Sequence, residues 1–141
     1  MTSKAESISA AVVTALGTPT MTAVPTARVF RDLNDALASD KWPAIVVETG
    51  DEDEPVRAVI GHKMRNVEVR VTALGTSFSS VDAAVVESFG RLVASPTLGT
   101  LAFEFDEGET NRTREGAAQN VVAVTKTYRY KFRTTEGSLE S

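Results

Sequence analysis

The chain has 141 residues and a net charge of −4, the size of one domain able to bury its own core, with no electrostatic bias toward nucleic acid or anionic membranes. The absence of cysteine excludes disulfides, thiolate metal sites and cysteine nucleophiles, and a single histidine, His62, excludes sites built on two imidazoles. No apolar run approaches the ~18 residues that span a bilayer, and Ala10–Val13 behind Lys4 is too short for a secretory signal, so a cytosol-like compartment is expected.

The first predicted element is a helix over residues 3–17. Ser3 and Glu6 have the spacing of a capping box, Ile8, Val12, Ala15 and Leu16 recur at helical intervals, and Gly17 is placed for a left-handed cap. Thr18 to Thr26, with Pro19 and Pro25, reads as an extended connector. A short strand near 27–31 and a short helix from Asp32 to Ser39 follow. Pro43 then leads into Ala44-Ile45-Val46-Val47, a continuous apolar run suited to a strand at 43–49 buried on both faces. After the acidic loop Asp51-Glu52-Asp53-Glu54-Pro55, Val56 to Ile60 reads as a return strand and Gly61 as a turn.

Val67, Val69 and Val71 alternate with Glu68, Arg70 and Thr72, the period-2 pattern of a half-buried strand at 66–74. Thr76 to Ser80 supplies N-cap candidates for a helix over 80–94, whose stripe is Val81, Val85, Phe89, Leu92 and Val93. Leu101, Phe103 and Phe105 alternate as a strand at 100–106. The segment 106–119 holds no large apolar side chain and is expected to be a flexible loop. The last strand, near 120–134, places Val122, Val124, Tyr128, Tyr130 and Phe132 on one face and Arg129, Lys131 and Arg133 on the other. The expected fold is α+β: a mostly antiparallel sheet with two main helices packed on one face, one domain over 1–141.

Candidate chemistry is sparse. An EF-hand loop from Asp51 would need Gly and Glu where the chain has Val56 and His62, so the acidic run reads as a solvated turn. His62 has no partner at a diagnostic spacing for general-base work. Ser77 and its neighbours lack the second glycine of a nucleophile elbow and read as helix caps. There is no phosphate-binding glycine motif. Asn111-Arg112-Thr113 matches a glycosylation sequon, which carries weight only on a secretory route. Arg112, Arg114, Arg129, Lys131 and Arg133 form the basic features, and the two tyrosines lie on the other face of the last strand, which argues against a base-stacking platform. No enzymatic activity, metal or cofactor is expected.

The Pro-led strand Trp42-Pro43-Ala44-Ile45-Val46-Val47, the acidic turn, Arg65-Asn66-Val67-Glu68-Val69-Arg70-Val71, the amphipathic helix and the ending Tyr128-Arg129-Tyr130-Lys131-Phe132-Arg133-Thr134 together resemble tail terminator (minor tail protein U-like, tail completion) proteins of long-tailed bacteriophages. The resemblance covers roughly residues 3 to 135 and rests on patterns of strand and helix; the helical segment from Asp32 to Ser39 departs from the family. It implies a subunit that assembles as a ring, typically a hexamer, on the end of the tail tube, stops tube polymerisation and offers a surface for head joining. The implied partners are the chain itself, the tail tube protein and the head–tail connector, with DNA passing through the ring but no sequence-specific nucleic-acid binding and no membrane. The implied location is the head-proximal end of the virion tail, and the host cytoplasm during assembly. Asp51, Glu52, Asp53 and Glu54 against Arg112, Arg114, Arg129, Lys131 and Arg133 suit a charged head-to-tail interface of such a ring. The alternatives are a tail tube or head–tail joining protein of similar fold, or a small ligand-binding α+β domain.

Overall fold

Helix α1 spans Lys4–Gly17 and buries Ile8, Val12 and Leu16, the residues that helical spacing puts on one face. The structure is a computed structural model and describes residues 2–17, 22–24, 28–31, 43–115, 121–135 and 137–139. The predicted helix at Asp32–Ser39 and most of the connector before it lie outside the described residues. At the start of α1 only half of the expected capping box forms. The Glu6 amide donates to Ser3 Oγ at 3.2 Å, but the Glu6 carboxylate is taken up by Arg31, 2.7 Å away, and by the Thr49 hydroxyl at 3.2 Å. An ion pair between elements has displaced the local contact. Gly17 is the last helical residue and does not adopt the left-handed cap; the carbonyls of Ala15 and Leu16 accept instead from Arg91, at 3.4 and 3.3 Å.

Strand β1 (Val29–Phe30) runs parallel to β2 (Ala44–Glu52). The apolar run at the start of β2 is buried on both faces as its composition predicts. Ile45 and Val47 enter the main core, while Ala44 and Val46 join Leu74 in a smaller cluster with Phe30, Val121 and Ala123 on the opposite face. Strand β3 (Val56–Val59) does not fold back on β2. Both pair antiparallel with β4 (His62–Gly75), β2 along Val67–Leu74 and β3 along His62–Met64. The two therefore lie one after the other along a single strand, and the amide of Asp53 bridges the step by donating to the Asn66 carbonyl at 3.1 Å. Gly61, at φ +86°, makes the β3–β4 turn, a conformation that costs glycine nothing.

Helix α2 spans Phe78–Ala94, two residues longer at its start than the pattern suggests. Its buried line is Val81, Ala84, Ser88 and Leu92; Val85 and Phe89 are partly buried and Val93 is half exposed. Ser88 tolerates burial because its hydroxyl donates to the Ala84 carbonyl at 2.7 Å. After α2 the chain turns through Leu98, Gly99 and Thr100, all at positive φ. This turn takes Leu101 out of the predicted strand, so β5 begins only at Glu104 and leaves Phe103 half exposed.

The largest departure from the sequence reading is β5 itself, Glu104–Glu115. Residues 106–115, expected as a flexible loop, form a strand paired antiparallel with β6 (Val121–Thr135); 116–119 lie outside the described residues. Phe105 anchors it, with its ring centroid 5.5 Å from that of Tyr128 and 5.2 Å from that of Tyr130. Charges hold the rest. Glu104 lies 2.9 Å from Lys131, and Glu107 lies 2.7 Å from Lys126. A strand at a sheet edge needs a single neighbour, and cross-strand ion pairs substitute for the apolar side chains that this segment lacks.

Among the described residues six strands form one sheet in the order β1-β2-β4-β6-β5, with β3 beside β4, and only the β1–β2 pair is parallel. Helices α1 and α2 lie over one face. Ile8, Val12, Leu16, Val81, Ala84 and Leu92 meet Ile45, Val47, Val67, Val69, Val71, Val122, Val124, Tyr128, Tyr130 and Phe132 there. The α+β class, the mostly antiparallel sheet and the one-sided helix layer stand as the pattern predicts.

Candidate functional site

Strand alternation sends every second residue of β4, β5 and β6 to the face opposite the helices, so the register decides which charges meet. Arg129 stands between Glu68 of β4 and Asp106 of β5, with its guanidinium 3.3 Å from Glu68. Lys131 stands between Asn66 and Glu104. The hydrogen bond that Lys131 donates to the Glu104 carboxylate raises the Lys131 pKa above its ordinary value. Arg70 lies 3.8 Å from Glu68 and 3.9 Å from Asp51. The sheet face that reads as basic along β6 alone is thus a ladder of alternating sign, because β4 and β5 bring a carboxylate to each of Arg129 and Lys131. Exposed pairs of this kind stabilise weakly and act more on register and partner choice.

The other predicted interface residues are scattered. Asp51 and Glu52 end β2, and Asp53 and Glu54 follow it, all four exposed. Arg133 is exposed opposite Met64. Arg112 points the other way, to the helix side, where it lies 3.7 Å from Asp82 of α2. Arg114 stands opposite Val122 in the register. The fold therefore gathers Arg129 and Lys131 with Glu68, Glu104 and Asp106, and leaves the Asp51–Glu54 run at the far edge. Glu68, Glu104 and Asp106 were absent from the sequence-level candidates. The signal that finds them is the register of β4 and β5 against β6, which spacing along a single segment does not give.

Ser77 caps α2, its hydroxyl oxygen accepting from the Ser80 amide at 3.3 Å, as the capping reading has it. His62 opens β4 opposite Thr135. Among the described residues no group of three or more carboxylates or imidazoles is placed to hold a metal, and no helix is long and apolar enough to cross a membrane. Grooves of about 350 Å³ at Phe78, Asp82 and Arg112 and about 370 Å³ at Ala11, Thr14 and Leu98 lie open on the surface. A third, of about 220 Å³, sits at the β5 bulge, where Glu68, Arg70, Glu109 and Arg129 alternate in charge.

No family model matches the chain, and no curated protein does. The fold is similar to that of a chain in the virion of a native gene transfer agent particle, with a TM-score of 0.58 and 11% identity, over 90% of this chain and 95% of that one. At that identity the likeness is one of fold, and it runs through both chains almost end to end.

Proposed function

We propose that this chain is a structural subunit of a phage-like virion, and within it the tail terminator. In this reading copies close into a ring, six by the family resemblance, on the end of the tail tube. The ring stops tube growth and presents the surface to which the head-side connector binds. The observation that carries the proposal is the end-to-end fold likeness to a virion chain. It is supported by a surface that carries charge ladders and a long edge strand suited to contacts between subunits. The chain would act without chemistry, bind neither a specific nucleic-acid sequence nor a membrane, and work in the host cytoplasm before joining the tail.

Two measurements test this. A phage lacking the protein should make abnormally long tails, or tails that fail to join filled heads; normal tail lengths with normal joining would end the terminator reading. Electron microscopy of the purified protein should show rings. Long cylinders would point to a tube protein of the same fold instead.

A further inference from the structure

The two faces of the molecule differ in charge. The sheet face away from the helices carries the ladder built on Glu68, Arg129, Lys131 and Glu104. The helix layer is close to neutral. From Ser7 to Gly17, α1 holds no charged residue, and Ala10 and Thr14 stand on its exposed side. The charges of α2 are engaged at its margins. Asp82 pairs with Arg112, while Glu87 and Arg91 turn to each other and to the backbone of α1 and the segment after it.

An apolar line runs along the outside of α2. Ala83, Val86, Gly90 and Val93 are all exposed and follow at steps of three, four and three residues, the interval that keeps a seam facing a second helix. Val86 is 63% and Val93 48% exposed. The chain's own packing gives no reason for Gly90. Glycine weakens a helix interior relative to alanine, yet a Cβ at this position would meet nothing within 4 Å. Such a notch lets another helix approach closely. The groove of about 370 Å³ at Ala11, Thr14 and Leu98 opens in the same layer.

We propose that two copies of this chain pack helix layer to helix layer about a two-fold axis. Helix α2 lies antiparallel on its counterpart, with Val86 of each copy seated on Gly90 of the other and Val93 on Ala83. The occupant is a second copy on three grounds. Along the seam the sizes run small, large, small, large, an order that complements its own reverse. A neutral layer covers a neutral layer without stranding a charge, whereas the other face of the chain would bury its ladder. The area also suffices. At 1.5 Å per residue α2 is about 25 Å long, and α1 beside it makes the layer about 20 Å wide, so two copies cover about 1,000 Å² in all, the size at which specific contacts begin. The contact is isologous and uses no sheet edge. It goes beyond the ring reading above and does not rest on it, since it can pair single chains or whole rings.

The chain has no cysteine of its own, so cross-linking reads the contact directly. Ala83→Cys and Val93→Cys together lie too far apart on one helix to join each other. Under mild oxidation the double variant should give covalent dimers and nothing larger on a denaturing gel, while either single variant stays uncross-linked. Gly90→Val should weaken self-association at least tenfold in sedimentation with no loss of thermal stability in the dilute chain. Adding Val86→Ala exchanges the two sizes and should restore association. Covalent ladders beyond the dimer would overturn the two-fold contact in favour of a head-to-tail one. Association that ignores Gly90→Val would also overturn it, and rings seen by electron microscopy in that case would leave the ring reading standing. Pairs that never form rings would uphold the contact and count against the ring. A chain that stays single at every concentration would overturn the contact and give this face to a partner of another sequence.

Discussion

Glu87 of α2 turns its carboxylate toward the segment after α1, accepting from the amides of Ala23 at 2.8 Å and Thr22 at 2.9 Å, with Arg91 3.8 Å away. Burial pushes its pKa up, but the two amides and the guanidinium outweigh this and hold it below the ordinary 4.5. A depressed folded pKa gives stability that is present above the unfolded value and lost as pH falls through the folded one. Glu87→Ala should therefore lower stability at pH 7 by about 1–2 kcal/mol. The gap to the parent chain should narrow below pH 4.5, and urea unfolding at neutral and acid pH measures both; equal midpoints at pH 7 would remove the role. Tyr130 poses the opposite case. Its hydroxyl is buried without a hydrogen-bond partner among the described residues, and burial raises the pKa of both tyrosines, so neither ionises while the core is intact. Because that hydroxyl has given up water for nothing, Tyr130→Phe should leave stability unchanged or raise it by up to about 1 kcal/mol. A clear loss in thermal unfolding would reveal a bond to it. That Tyr130 faces the core was legible from alternation along β6; that its hydroxyl goes unmet was not, since only the packed neighbours decide it.

At the scale of elements, the seam between β4 and α2 depends on a missing side chain. A Cβ at Gly75 would stand 2.7 Å from Cγ2 of Val81, which is fully buried and cannot yield. Gly75→Ala should destabilise the chain by about 1–3 kcal/mol through overpacking. Gly90→Ala, in the interior of α2 where a Cβ meets nothing within 4 Å, should stabilise it by about 0.5–1 kcal/mol. Thermal unfolding of the pair measures the contrast, and equal shifts in the same direction would refute the close approach. The elements with a strong apolar period, α1, α2, β4 and β6, were legible because burial on one face imposes that period. Strand β5 was not. Its only apolar anchor inside the strand is Phe105, and its remaining residues become a strand through β6 and the lysines there, partners that lie far along the chain. The bulge at Gly108 and Glu109, where the β5–β6 register shifts, also breaks the alternation that would have marked it.

For the whole molecule, the sequence by itself determined the α+β class, the burial of Ala44–Val47 on both faces, the split of β6 into an apolar and a basic side, and the capping role of Ser77. These follow from spacing along a single segment, where side-chain period and secondary-structure geometry are locked together. Only the tertiary structure decided which strands are neighbours. It set β3 in line with β2, turned the basic face of β6 into a ladder of alternating charge, and directed Arg112 to α2. The physical reason is that charge pairing and edge exposure depend on residues distant in sequence and adjacent in space: Glu68 and Arg129 are 61 residues apart along the chain and 3.3 Å apart in the fold.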